Sequence, residues 1–176
     1  MDAELAYLIE KGDGWVREQR RLHRPRAVAL HPRTQAALAP FFGIEVLRDV
    51  RVRSVPVIEN PDFYDAMAAA GRPPPMDFAA AQGITFDDTV LLSTRGGIEH
   101  GPPSSLLFHE LVHVVQYRLL GVAAFVHRYV TGWAAEGFVY EAIPLERDAF
   151  ERQHRFEQAP RTPFCVRDLV SARLGI

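Results

Sequence analysis

Several classes of protein are excluded by what the sequence lacks. A single cysteine, Cys165, allows no disulfide within the chain, so a disulfide-stabilised secreted scaffold is excluded. This thiol lacks any pairing signal, and we expect it to be a small buried apolar group. No hydrophobic run is long enough to span a bilayer, and the first residues lack the basic and apolar regions of a signal peptide. We therefore expect a cytoplasmic protein without a membrane partner, with export by a route that reads no conventional signal as the alternative.

An excess of either charge is also missing. The formal net charge is -2, which gives no general attraction to nucleic acid. The basic cluster consists of Arg17, Arg20, Arg21, Arg24 and Arg26. No aromatic or glycine-rich motif accompanies it, so we favour a solvated helix face over a nucleic-acid site. The chain has 176 residues, of which 48% are hydrophobic, and this predicts one globular domain over residues 1–176.

The strongest signal that is present is the pentapeptide His109-Glu110-Leu111-Val112-His113, an HExxH motif. In a chain of this composition, chance would place these residue types at these offsets with a probability of roughly 2%. Apolar residues precede, fill and follow the motif, which predicts a buried helix. Burying two imidazoles and a carboxylate without partners is costly, and a metal ion satisfies all three. The alternative is a buried helix whose histidines bond to nearby backbone.

The spacing of the motif fits a zinc site. Because a helical turn takes 3.6 residues, His109 and His113 project from one face about 6 Å apart, and both rings can reach one ion. Zinc lowers the pKa of a water that it binds towards about 7. Glu110 lies about 100° further round the helix, where it can take a proton from that water and pass it to a leaving amine. The motif therefore predicts zinc-dependent peptide-bond hydrolysis with Glu110 as the general base.

A catalytic zinc needs a third protein ligand. The later acids that could supply it are spaced five residues apart and are Glu136, Glu141, Glu146 and Glu151. Pro144 predicts the start of a helix over 144–158, and Glu146 lies in its first turn. We choose Glu146, with Glu136, Glu141 or no protein ligand as alternatives. An acidic residue near a helix N-terminus is also favourable without any metal.

From residue 89 to residue 154 the chain resembles the gluzincin zinc metallopeptidases. Their second motif is a glutamate followed three residues later by a small residue, here Glu146 and Ala149. The resemblance implies a zincin-like α+β fold, mostly helical, with a small twisted β-sheet packed on the HExxH helix. It also implies that His109, His113 and Glu146 bind Zn²⁺, and that the substrate is a peptide or protein.

Three details qualify this resemblance. Val114-Val115-Gln116 is similar to small bacterial metallopeptidase-like domains, some of them linked to contractile injection systems. The metzincin motif HExxHxxGxxH is excluded, because Gln116 and Leu119 stand at its glycine and its last histidine. Gluzincins often place an aspartate four residues after the ligand glutamate, where it orients the first histidine. That position is Phe150 here, so another acceptor must hold the ring of His109.

Other residues carry weaker expectations. A peptidase needs a group that stabilises the oxyanion, and the candidates are Tyr140, His127, Tyr129 and His154. We choose Tyr140 as the catalytic one. His100 is expected to be a loop residue, and Gly96-Gly97 to be turn glycines without a lid role.

Two local structures are also predicted. The strand over 89–93 is either a sheet edge along which an extended substrate lies or an ordinary inner strand. Gly12-Asp13-Gly14 predicts a break between two short N-terminal helices.

Two other functions compete with proteolysis. A binding module of a larger assembly could keep the zinc site without cleaving peptides, and the short chain and Phe150 favour this alternative. A metal-free helical interaction domain is the third hypothesis.

Overall fold

The computed structural model describes residues 3–72, 74–95 and 105–176. The helices are α1 (Ala3–His23), α2 (Pro32–Phe42), α3 (Ile44–Asp49), α4 (Phe63–Ala69), α5 (Ser105–Leu120), α6 (Val122–Ala135), α7 (Pro144–Gln158) and α8 (Val166–Leu174). The strands are β1 (Val28–Ala29), β2 (Arg51–Val55), β3 (Gly83–Phe86) and β4 (Thr89–Ser93). Short 3-10 turns lie at Arg24–Arg26, Phe78–Ala80 and Tyr140–Ala142. The expectations for His100 and Gly96-Gly97 lie outside the described residues.

The strands form one mixed sheet with the order β1-β2-β4-β3. β2 runs parallel to β4, whereas β3 and β4 are antiparallel and form a hairpin. β4 is paired on both sides and all five of its residues are buried, including the polar Thr89 and Ser93 at its ends. The expectation that residues 89–93 form the sheet edge is therefore wrong, and its alternative, an inner strand, is confirmed. Among the described residues, the strand at the sheet edge beside β4 is β3.

Helix α5 carries the HExxH motif through the centre of the fold. All residues from Leu107 to Tyr117 are buried, as the apolar setting of the motif predicts. The helix packs against α6, α7 and α8 on the helical side and against β3 and β4 on the sheet side. The expected α+β class, mostly helical with a small sheet on this helix, is confirmed. Across the described parts of the chain, none of the helices combines the length and the apolar character needed to cross a membrane.

Two expectations about single residues are wrong. Gly12-Asp13-Gly14 does not break the N-terminal helix, since α1 is continuous from Ala3 to His23. A Cβ on Gly12 would lie 3.2 Å from Cγ1 of Val126, so this glycine allows α1 and α6 to approach closely. Cys165 is exposed rather than buried, because it occupies the N-cap position of α8, outside the helix whose apolar residues face the core.

The arginines of the basic cluster are largely paired with acids. Arg17 binds Asp13 and Arg21 binds Glu18 along the exposed side of α1. Arg20 and Arg24 reach across to the hairpin turn between β3 and β4. Both Nε and Nη2 of Arg20 lie 2.8 Å from the Asp88 carboxylate, and Nη1 of Arg24 also lies 2.8 Å from it. These two arginines therefore attach α1 and the turn that follows it to the hairpin.

The core beside α5 is a cluster of phenylalanines. The Phe108 ring stacks on the Phe156 ring at a centroid distance of 4.3 Å. Phe41, Phe42 and Phe164 surround Phe108 at 4.7–6.0 Å. Because Phe108 immediately precedes the first motif histidine, this cluster also fixes the position of that histidine along the helix.

Phe108→Ala should lower the free energy of unfolding by about 3–5 kcal/mol, because it removes a fully buried ring and leaves a cavity. Chemical denaturation followed by circular dichroism measures this change. The matched control is Leu22→Ala on the exposed side of α1, which should change stability by about 0.5 kcal/mol or less. Equal losses in the two variants would contradict this view of the core.

Candidate metal centre

The structure brings His109, His113 and Glu146 together, although the last two are 33 positions apart in the chain. The two histidines lie one turn apart on α5, and Glu146 lies in the first turn of α7, as predicted. Nε2 of His109 is 3.1 Å from Nε2 of His113 and 3.1 Å from Oε2 of Glu146. Nε2 of His113 is 3.3 Å from the same carboxylate oxygen. The three residues form a buried group that could hold a metal ion.

The size of this triangle matches a tetrahedral site. Zinc–ligand bonds of roughly 2.0–2.1 Å in a tetrahedron separate neighbouring ligand atoms by about 3.3 Å. The three observed separations lie between 3.1 and 3.3 Å. No change in helix packing is needed to bring the three atoms around one small ion.

The amide of Gln116 fixes the orientation of the His113 ring. Its Nε2 donates to the carbonyl oxygen of Leu145 at 3.0 Å and lies 3.2 Å from Oδ2 of Asp148. The amide oxygen must therefore face the other way, where it lies 2.8 Å from Nδ1 of His113. An oxygen accepts only, so in the neutral ring Nδ1 of His113 carries the proton and Nε2 offers a lone pair.

Gln153 does the same for His109 and supplies the acceptor that Phe150 cannot. Its Nε2 donates to Glu157 at 2.9 Å, and its amide oxygen lies 3.1 Å from Nδ1 of His109. Phe150 instead packs its ring on the imidazole of His109 at a centroid distance of 4.5 Å. The first histidine is thus held by an amide that lies about one turn further along α7 than Phe150.

Three hydrogen-bond acceptors consequently face one another in the interior. In the neutral rings, both Nε2 atoms are acceptors, and Oε2 of Glu146 is an acceptor as well. The hydroxyl of Tyr129 donates to Oε1 of Glu146 at 2.8 Å and leaves Oε2 to the histidines. Such a group requires a cation between its members, either a proton or a metal ion.

Protons and metal ions compete for these atoms. Burial acts to lower the pKa of His113, but the Glu146 carboxylate opposes it and raises the pKa to about 9. Burial of Glu146 acts to raise its own pKa, yet His113 and His109 hold that pKa well below its usual range. Metal binding near neutral pH therefore displaces a proton from His113.

Glu110 projects from α5 towards β3, and it lines the same cavity as His113 and Glu146. Its Oε2 accepts a hydrogen bond of 2.7 Å from the Thr85 hydroxyl. Gly83 leaves the space that the carboxylate fills, since a Cβ there would lie 2.5 Å from Oε1 of Glu110. Burial raises the pKa of Glu110, while the two histidines and the Thr85 hydrogen bond act against this rise. Its carboxylate is thus buried beside the cluster without belonging to it.

Two tyrosines line the glutamate side of the site. Tyr129 binds Glu146 directly from α6. Gly132, one turn further along α6, permits the close approach of α7, because a Cβ there would lie 2.7 Å from Cδ of Pro144. Tyr140 lies in the wall of the same cavity as Glu110 and Glu146. Burial, followed by the charge of Glu146, raises the pKa of Tyr140, so its hydroxyl stays protonated near neutral pH.

The remaining sequence candidates lie elsewhere. Glu136 and Glu141 are exposed and do not join the histidines, so these alternatives for the third position are not supported. His127 is exposed on α6. His154 is exposed on α7, where it contacts Gln158.

Sequence reasoning missed the residues that orient the ligands and Glu110, although the sequence contained a signal for some of them. Gln116 lies three residues after His113, and Gln153 lies seven residues after Glu146, so helical periodicity places each on the ligand face of its own helix. Thr85 and Gly83 had no such signal, because they come from strand β3, where Thr85 lies 25 positions before Glu110 in the chain.

Gln116→Met should lower the affinity for a divalent ion such as Zn²⁺ by about 10–100-fold, because the ring of His113 loses its acceptor. Competition with a chromophoric chelator measures the affinity, and circular dichroism checks that the fold is kept. Gln158→Met on the exposed end of α7 is the matched control and should leave the affinity unchanged. An unchanged affinity in folded Gln116→Met would show that this amide does not orient the ring.

Comparisons with known proteins do not identify a family for this chain. The chain matches no protein-family model, no curated protein and no solved structure. The case for any function therefore rests on the contacts of the described residues.

Proposed function

We propose that the chain is a zinc metallopeptidase of the gluzincin type with a zincin-like fold. His109, His113 and Glu146 bind zinc, and Glu110 is the general base. The observation that carries the proposal is the group of three buried acceptors around one point, with a second buried carboxylate beside it. The position of α5 against the edge strand β3 supports the zincin-like arrangement.

The donor set favours zinc over other common ions. Two imidazole nitrogens and one carboxylate oxygen form a ligand set known from catalytic zinc sites, which keep a fourth position for water or substrate. Calcium and magnesium prefer oxygen ligands in larger number. The small triangle of ligand atoms fits a four-coordinate ion better than a seven-coordinate one.

The chain's own residues provide the acid–base chemistry. Zinc, when bound, is a Lewis acid that makes a water molecule more acidic. Glu110 takes the proton of the attacking water and later gives it to the leaving amine. Thr85 holds the Glu110 carboxylate in one orientation during both transfers. Tyr140 donates its hydroxyl proton in a hydrogen bond to the carbonyl oxygen, where negative charge develops.

A non-proteolytic zinc module is the second candidate. The side chains of the ligands and of Glu110 belong to residues that are only 3–5% exposed, which is the burial of a structural site. Phe150 adds an apolar side chain on the ring of the first histidine. In such a module, zinc joins α5 to α7 and stabilises the fold without any turnover.

Purified protein prepared without chelator should contain one zinc ion per chain by elemental analysis. His109→Ala should lose it, because two ligands hold zinc poorly, whereas His127→Ala, which changes an exposed histidine, should keep it. Glu110→Gln should retain zinc and lose about 10²–10⁴ in the rate of peptide cleavage. Wild type without zinc would refute the proposal, and zinc without cleavage of a diverse peptide library would favour the second candidate.

Thr85→Val should lower kcat about 10–100-fold at unchanged KM and zinc content, because Glu110 loses a hydrogen bond to its charged group. Thr85→Ser should restore most of kcat, since it returns the hydroxyl. A parallel loss in both variants would assign Thr85 a packing role instead.

A further inference from the structure

We propose that the apolar cavity beside the metal centre binds one bulky apolar side chain of the substrate, of the size of phenylalanine or leucine. This inference rests on the proposed peptidase function and gives it a substrate class. The cavity lies between α1, β3, α5 and α6, and its volume is about 120 Å³.

The walls of the cavity are almost entirely apolar. Aromatic rings from several elements line it, and they include Trp15 of α1, Phe78 before β3, and Phe125 and Trp133 of α6. Among the lining residues that the structure describes, the charged or titrating groups are those of the metal centre, Glu110, His113 and Glu146, and the tyrosine hydroxyls. A charged substrate side chain would lose its hydration there without gaining an opposite charge along most of the wall.

The volume of the cavity limits the size of the side chain that it can hold. An apolar cavity of about 150 Å³ stays dry and holds one benzene molecule. The cavity here, at about 120 Å³, is slightly smaller. It therefore has room for one ring or one branched aliphatic chain, and an indole is too large without movement of the walls.

The position of the cavity links the bound group to the chemistry. Its wall contains the general base Glu110 and two of the three metal ligands, so an occupant lies directly beside the reacting bond. Gly83 and Ile84 of the edge strand β3 also line it. An extended peptide along this edge would place one side chain in the cavity while its backbone passes the metal centre.

Two neighbouring alanines provide a matched pair of variants. Ala81 lines the cavity and is partly buried, so Ala81→Phe fills the space with a ring. Ala80 is exposed and does not line the cavity, so Ala80→Phe adds the same ring outside. Ile84→Ala enlarges the cavity and provides a second variant if Ala81→Phe folds poorly.

The first experiment measures binding of toluene to the purified protein by NMR titration and requires neither zinc nor turnover. We expect wild type and Ala80→Phe to bind it alike, and Ala81→Phe to bind it at least about tenfold more weakly. Ile84→Ala should bind naphthalene more tightly than wild type does. Wild type that binds no toluene, or binding that Ala81→Phe leaves unchanged, would overturn the inference.

The second experiment measures cleavage of peptide pairs that differ only by phenylalanine or alanine next to the scissile bond. With zinc-loaded wild type, kcat/KM should be at least about tenfold higher for phenylalanine at one of the flanking positions. Ala81→Phe should remove this preference by slowing only the phenylalanine peptide, and Ala80→Phe should preserve it.

The two experiments separate the two proposals. Cleavage with no preference for phenylalanine would overturn the assignment of the cavity while the peptidase function stands. Toluene binding without zinc or cleavage would overturn the peptidase function and the substrate class with it, and would leave an apolar ligand site.

Discussion

The metal centre depends on two glutamine amides whose direction is fixed by their own donors. An amide group can flip by 180°, but here a carboxylate holds each NH₂ group in place. The NH₂ group of Gln116 donates to Asp148, and that of Gln153 donates to Glu157. Their oxygens must then face the imidazoles and take up the Nδ1 protons. Without this constraint, one histidine could donate from Nε2 to Glu146, and the cluster would satisfy itself without a cation.

The same hydrogen bonds hold the two ligand-bearing helices together. Gln116 extends from α5 to the Leu145 carbonyl and to Asp148 on α7, and it is fully buried. The charge of Asp148 is balanced by Arg152, whose Nη2 lies 2.8 Å away one turn along α7. Because a buried charge must be paired, the packing of α5 on α7 and the shape of the metal site follow from one polar network.

The sequence predicted the parts of the site that depend on one helix at a time. HExxH spacing located His109 and His113, and Pro144 located the start of the helix that carries Glu146; the structure brings these three together. The acceptor for the ring of His109 is Gln153, not residue 150. Predicting it would have required knowledge of how α5 and α7 face each other. Likewise, the sequence wrongly predicted a helix break at Gly12. The residue that requires a glycine there, Val126 on α6, is far away in the sequence.

The general base depends on contacts that are still more distant. Thr85 and Gly83 are two residues apart, so both face α5 from the same side of β3. If β3 slipped by one residue along β4, the side of β3 that carries these two residues would face away from α5. The hairpin turn sets the register that prevents this. The turn holds Asp87 at a φ of 60°, which costs energy for a residue other than glycine, and Arg20 and Arg24 bind its neighbour Asp88. Ion pairs at the far end of the hairpin therefore help to place the carboxylate of Glu110 beside the metal centre.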